Sequence, residues 1–197
     1  MAIIASDKGG TFAPVSEGVH LAICTGVIDI GEQWSEMFKT SSRKVILLWE
    51  VDETAEIEGE QVHRRISREY TLSLNSKSNL RKHLEAWRGK AFTAEELAGF
   101  DLKNILGKPC MLQINHTEDK KYACIAGIMS ALKSAELFVP SESLIYFDLS
   151  DKECLRLLPL LPQWIQDKVK GSDTYRELTG DVSGQMEEGG DDTDLPF

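Results

Sequence analysis

The sequence predicts a mainly β protein of five strands, with one helix between the third and fourth strands. Short runs of apolar and β-branched residues, bounded by turn residues, predict the strands. One segment instead repeats its apolar residues at helical spacing. A hydrophobic content of 42% in 197 residues suits one domain with an extension. The predicted strands are 18–30, 44–52, 61–73, 109–116 and 121–130.

Alternation of apolar residues predicts the first strand, and Gly26 within it indicates a bulge or sharp bend. The side chains predicted to share one face are Val19, Leu21, Ile23, Thr25 and Val27. Residues 31–43 are mostly polar and are predicted to form a long loop before the second strand. Residues 50–60 hold six acids and no base, which predicts a solvated hairpin turn at Gly59.

The helix is predicted over 77–88, with a start signal at Ser76 and an end at Gly89. Its apolar face carries Leu80, Leu84 and Trp87, so Trp87 is predicted to lie in the core. Trp49 alternates with apolar neighbours in the second strand and is also predicted to be buried. Thr93 begins a second, short helix.

The last two strands form a predicted hairpin across the polar turn 117–121. Strand, strand, strand, helix, strand, strand is the element order of the OB-fold, a five-stranded Greek-key barrel. After the barrel, apolar residues at helical spacing within 152–170 predict a helical extension. From Gly171 the composition shifts toward Gly, Ser, Thr, Asp and Glu.

Composition and motifs exclude several function classes. The formal net charge is −10, and residues 181–197 supply −6 of it, so the body is not a general nucleic-acid binder, although it could still carry a local basic face. No Cys-x-x-Cys pair, phosphate loop or nucleophile elbow occurs, so no metal, cofactor or enzyme activity is predicted. Cys24, Cys110 and Cys124 are predicted core residues. We expect no signal peptide and no membrane span, and therefore a cytoplasmic protein.

A local basic face is present, because residues 61–90 hold eight bases and two acids. Binding a single strand of nucleic acid needs basic groups for the phosphates and aromatic faces for the bases. OB-folds place such groups on strands two and three and on the loops joining strands 1–2 and 4–5. The candidates in the first loop and the start of the second strand are Trp34, Phe38, Lys39, Arg43 and Lys44. Those in the third strand and the second loop are Arg64, Arg65, Arg68, Tyr70, Lys120, Lys121 and Tyr122.

Alternatives stay open for these candidates. Either aromatic residue of the first loop could fold back onto the barrel, and the lysine pair at 120–121 could simply be solvated. Arg64, Arg68 and Tyr70 share one face of the third strand by alternation, with Arg65 on the other.

The chain ends in an acidic stretch followed by Leu-Pro-Phe, which suits capture by an apolar pocket with a basic rim on a partner. The predicted partner-binding residues are Asp191, Asp192, Asp194, Leu195, Pro196 and Phe197. This stretch resembles the acidic tip of bacterial and bacteriophage single-stranded DNA-binding proteins. Leu195 replaces the usual Ile, and Thr193 interrupts the acids. The resemblance implies an OB-fold that holds DNA and a tip that recruits replication and repair proteins.

Together these observations divide the chain into four parts. They are an N-terminal arm at 1–17, an OB-fold DNA-binding domain at 18–135, an extension packed on the barrel at 136–178 and a disordered acidic tail at 179–197. We expect a phage-encoded protein that coats single-stranded DNA during replication or recombination, and a homo-oligomer is compatible with this role. A protein-interaction adaptor with an OB-like barrel and a strand-annealing recombination protein are the alternatives.

Overall fold

The computed structural model describes residues 14–57, 59–131, 139–141 and 143–180. The prediction of a mainly β fold is confirmed. The strands are β1 (Gly18–Ser35), β2 (Thr40–Ile57), β3 (Glu60–Thr71), β4 (Pro109–His116), β5 (Ala123–Ser130) and β6 (Ile145–Phe147). The α-helices are α1 (Asn79–Arg88), α2 (Ala94–Ala98), α3 (Gln163–Lys170) and α4 (Asp173–Thr179). Two 3₁₀ segments cover Leu102–Ile105 and Lys152–Leu160.

The five long strands form an antiparallel sheet in the order β3-β2-β1-β4-β5. The short strand β6 pairs in parallel with β1 at 26–28, beyond the part of the same edge, 18–23, that β4 occupies. A bulge between Cys24 and Gly26 separates these two pairings, as the glycine within the predicted strand indicated. A Cβ atom at Gly26 would lie only 2.8 Å from Leu48 Cδ1, so a larger residue does not fit without a shift.

The first hydrophobic cluster fills the inner face of this sheet. β1 and β2 contribute Ala22, Cys24, Val27, Val45, Leu47, Trp49 and Val51, and β3, β4 and β5 contribute Ile66, Tyr70, Cys110, Leu112, Ile114, Ile125 and Ile128. The prediction that Val19, Ile23 and Val27 share one face fails at the bulge, because Val27 joins Ala22 and Cys24 in the first cluster whereas Ile23 does not. The bulge breaks the two-residue alternation, which is why Val27 joins the same cluster.

Helix α1 closes one end of this cluster with Leu80, Leu84 and Trp87. It begins after Ser78, two residues later than predicted, and ends at Gly89, whose φ of 67° favours glycine. Trp49 and Trp87 are both buried, with ring centroids 6.1 Å apart, so their predicted core positions are confirmed. The short helix α2 has the predicted cap at Thr93, in a complete capping box.

A second hydrophobic cluster lies on the opposite face of β1 and β2. Ile28, Ile30 and Ile46 pack there against residues that follow β5 in the chain, namely Phe147, Leu149, Leu158, Leu161, Ile165 and Val169. Burial of each large apolar side chain contributes about 1.5–3 kcal/mol to the free energy of folding. The second cluster therefore holds the segment after β5 firmly on β1 and β2. Helix α4 was not predicted, because its seven residues carry little apolar periodicity and follow a Gly-Ser pair.

The cysteines divide between core and surface. Burial raises the pKa of the Cys24 thiol to about 12, as expected for a small core residue. Cys124 is exposed, contrary to the prediction, because it alternates with the buried Ile125 and points outward. Across the described ranges, no helix combines the length and the apolar content that crossing a membrane requires.

Candidate nucleic-acid interface

The predicted loop at 31–43 is instead a paired β-hairpin, which we call the hairpin arm (residues 31–44). β1 and β2 remain in register out to the pairs Trp34 with Ser41 and Ser35 with Thr40. Only residues 36–39 form the turn. The loop prediction failed because the outer part of the arm packs on no core, so its strands lack the apolar alternation that predicts a strand.

Large apolar side chains are exposed at the tip of the hairpin arm. The exposed fractions are 54% for Trp34, 83% for Met37 and 73% for Phe38. Neither aromatic ring folds back into the core, so this alternative does not hold. Glu36 accepts hydrogen bonds from Trp34 Nε1 at 2.8 Å and from Lys39 Nζ at 2.6 Å. Lys39 and Trp34 together hold the pKa of Glu36 below its ordinary value, which keeps this carboxylate charged.

The C-terminal helices hold the base of the hairpin arm. The backbone N–H of Glu32 donates to Thr174 Oγ1 at 2.9 Å, and Gln33 Nε2 donates to the carbonyl of Lys168 at 3.0 Å. Gly31 has a φ of 71°, and a Cβ atom there would lie 2.7 Å from Ser172 Oγ. The arm therefore projects from a clamped base, and its direction depends on residues more than 130 positions away in sequence.

Arg43 lies at this base in an ion pair. Its guanidinium donates through Nε and Nη2 to the carboxylate of Asp29. The hydrogen bond from Arg43 to Asp29 is the main reason why the pKa of Arg43 is raised. The side chain is about one-third exposed. Arg43 thus serves the fold of the arm's base, and a phosphate would have to share it with Asp29.

The orientation of the side chains in β3 differs from the prediction for one candidate residue. Arg64, Arg68 and Tyr70 share a face as expected, but that face points inward with Ile66. Tyr70 is only 4% exposed, and its hydroxyl lies 2.8 Å from His83 Nδ1. Burial raises the pKa of the Tyr70 phenol. The prediction that Tyr70 stacks on a base is therefore wrong, because its ring is packed in the core.

Arg64 is also directed inward and is engaged with other groups. It donates to Glu53 Oε1 at 2.6 Å and to the carbonyl of Pro14 at 3.2 Å. Burial raises the pKa of Glu53, but hydrogen bonds from Ser16 and Arg64 outweigh it and bring the pKa down to about 2. Arg64 is thus a structural cation that ties the start of the described chain to β2 and β3, not an available phosphate ligand.

This contact predicts a pH dependence of stability. Because the pKa of Glu53 is depressed from 4.5 to about 2, its stabilising effect is complete above pH 4.5 and is lost as the pH falls toward 2. We expect the free energy of unfolding of the wild type to exceed that of Glu53→Gln at neutral pH. The difference should shrink between pH 4.5 and 2, as measured by urea denaturation. A difference independent of pH would contradict the assigned ion pair.

Arg68 and Arg65 are placed differently. Arg68 donates to the carbonyl of Ile125 in β5 and lies over the Tyr70 ring, with Cζ 5.4 Å from its centroid. It also lines a cleft of about 480 Å³ at the end of β3, together with Lys44, Lys77 and other residues. Arg65 is exposed on the outer face, opposite Glu50 in the β2 register.

The turn between β4 and β5 carries exposed candidates. Tyr122 is mostly exposed, and Lys121 Nζ lies 3.8 Å from Asp119. Gly18 pairs with Ile114, so this turn lies beyond the start of β1, while the hairpin arm lies at its end. Strand β1 therefore separates the two groups of candidates along the sheet.

One basic group near the arm was not predicted. Lys168, in α3, donates to Glu69 Oε2 at 2.8 Å, and Lys44 donates to Glu69 Oε1 at 2.8 Å. Burial raises the pKa of Glu69, but these two lysines outweigh it and lower the pKa below its ordinary value. No sequence pattern relates residues that are 99 positions apart, so only the fold reveals this cluster.

No protein-family model and no curated protein sequence matches this chain. The predicted tip residues at 191–197, like the rest of 181–197, lie outside the described residues. Within the described ranges, no group of three or more His, Cys, Asp or Glu residues is arranged to hold a metal ion.

Proposed function

We propose that this protein binds single-stranded DNA without sequence preference and that the hairpin arm is its principal stacking element. One observation carries the proposal: Trp34 and Phe38 are exposed at the tip of a paired hairpin that also bears Lys39 and Lys44. Exposed aromatic faces beside cations are what a single strand requires. An aromatic tip without such a role exposes apolar surface with no compensating contact.

The same proposal includes an OB-fold barrel formed by the sheet. The sheet order β3-β2-β1-β4-β5 and a helix between β3 and β4 are features of an OB-fold. β3 and β5, the two ends of that order, also contact each other, and Arg68 donates to the Ile125 carbonyl there. We propose that this contact closes the sheet into the barrel.

The acidic tip completes the proposal. Its resemblance to the tips of single-stranded DNA-binding proteins supports recruitment of replication and recombination proteins through Asp191 to Phe197. The six acids of 181–197 carry the same sign of charge as DNA and repel it, so the tail weakens DNA binding in this proposal. A phage origin and a role in coating DNA during replication follow from the same resemblance.

A titration tests the proposal. Labelled oligo-dT is titrated with the full chain and with a chain ending at Gly180, at low and moderate salt. We expect binding that weakens as salt rises, with a slope of log affinity against log salt of about −0.7 per neutralised phosphate. The shortened chain should bind more tightly and should fail to capture replication proteins. An adaptor would retain no oligo-dT even in dilute buffer, and that result would refute the proposal.

A further inference from the structure

Two lysines from distant parts of the chain converge on one carboxylate at the base of the hairpin arm. Lys44 comes from β2 and Lys168 from α3, and each ammonium is 2.8 Å from a different oxygen of Glu69. We call this group the lysine clamp (Lys44, Glu69 and Lys168). Two positive charges face one negative charge, so the lysine clamp carries a net charge of about +1.

Stability alone does not explain this arrangement. The side chains of Lys44, Glu69 and Lys168 are 24%, 30% and 43% exposed. Ion pairs at such partly exposed positions contribute about 0–1 kcal/mol each. The second cluster already holds α3 on the sheet through Ile165 and Val169. A second lysine on the same carboxylate therefore adds little to folding, but it adds an accessible cation.

The position of the lysine clamp relates it to the stacking residues. Lys44 is three residues after Ser41, which pairs with Trp34, and this separation is about 10 Å along a strand. The carbonyl of Lys168 accepts a hydrogen bond from Gln33, which fixes α3 beside the arm. Lys44 also lines the cleft of about 480 Å³, whose other cations are Arg68 and Lys77.

We propose that Lys44 and Lys168 together bind a phosphate of the single-stranded DNA backbone, with Glu69 holding the two ammonium groups side by side. Each ammonium has three donors, and its contact with Glu69 uses one of them. A phosphate can therefore be bound without breaking the ion pairs. Glu69 lowers the local charge, so it orients the lysines at some cost in phosphate affinity. This inference rests on the proposed function and extends the DNA site onto the C-terminal helices.

Three variants of the full chain test the lysine clamp in salt titrations with labelled oligo-dT. Lys168→Ala should weaken binding about threefold to tenfold and make the salt slope less steep by about 0.7. Lys170→Ala is the matched control, because Lys170 is an exposed lysine of the same helix, two residues away. It should change affinity by less than about twofold. Glu69→Gln should bind more tightly than the wild type, because it removes the opposing charge.

The outcomes separate this inference from the proposed function. If the wild type binds oligo-dT but Lys168→Ala and Lys170→Ala behave alike, the lysine clamp is refuted and the proposed function stands. If Glu69→Gln weakens DNA binding in proportion to a loss of thermal stability, the cluster is only structural and the inference is again refuted. A wild type that binds no oligo-dT refutes both. Circular dichroism of each variant shows whether the fold is retained.

Discussion

The double substitution Trp34→Ala and Phe38→Ala should cost about 2–6 kcal/mol of binding free energy to oligo-dT. Base stacking on an aromatic side chain is worth about 1–3 kcal/mol per base, and the tip offers two exposed rings. The expected loss of affinity is about thirtyfold to twenty-thousandfold. The salt slope should stay unchanged, because no phosphate contact is removed. Fluorescence anisotropy of labelled oligo-dT measures both quantities without relying on Trp34 emission.

Met37→Ala is the matched control for this experiment. Met37 is the most exposed of the large apolar residues at the same tip, but its side chain has no aromatic face. We expect it to change binding by less than about 0.5 kcal/mol, and neither variant to change the free energy of unfolding by more than that. The Glu36–Lys39 ion pair remains in both variants and keeps the turn in place. A double variant that loses less than about 0.5 kcal/mol of binding would show that neither ring stacks.

The second large effect is on folding. Ile165→Ala should lower the free energy of unfolding by about 2–5 kcal/mol, because Ile165 is fully buried in the second cluster and its truncation leaves a cavity. Urea denaturation followed by circular dichroism measures this difference. The neighbouring Trp164 is exposed on the same helix, so Trp164→Ala serves as the control and should cost less than about 1 kcal/mol.

The comparison of these two variants tests whether the C-terminal helices belong to the cooperative fold. Equal stabilities of Ile165→Ala and Trp164→Ala would mean that the second cluster contributes little. A large loss for Ile165→Ala alone would show that α3 is part of the unit that holds the hairpin arm. That result bears on the proposed DNA binding, because Gln33 and Glu32 of the arm form hydrogen bonds with α3 and α4.

Local sequence patterns predicted the elements whose faces differ strongly in burial. Trp49 and Trp87 were correctly predicted as core residues because each belongs to an apolar repeat matching its element, of period two in β2 and of helical period in α1. The end of α1 at Gly89 was predicted because the left-handed conformation there favours glycine. These signals arise from neighbours in the chain, so the sequence alone contains them.

The hairpin arm and β3 show where local patterns fail. The arm is stabilised by backbone pairing with little apolar burial, so its polar residues resembled a loop. In β3 the alternation correctly grouped Arg64, Arg68 and Tyr70 but did not indicate which face points inward. Basic residues suggested an outer face, whereas Arg64 is directed inward and neutralised by Glu53 of the neighbouring strand.

Sequence patterns alone are enough to predict the mainly β architecture, the order of five strands and a helix, the buried tryptophans and the aromatic residues of the candidate site. The three-dimensional fold was needed to show that Trp34 and Phe38 stand on a paired arm, that Tyr70 is buried and that Lys168 meets Lys44 at Glu69. The two kinds of information differ in how far apart along the chain the interacting residues lie. Periodicity and capping depend on residues a few positions apart, whereas the packing of α3 against β1 is decided by burial of apolar surface between distant segments.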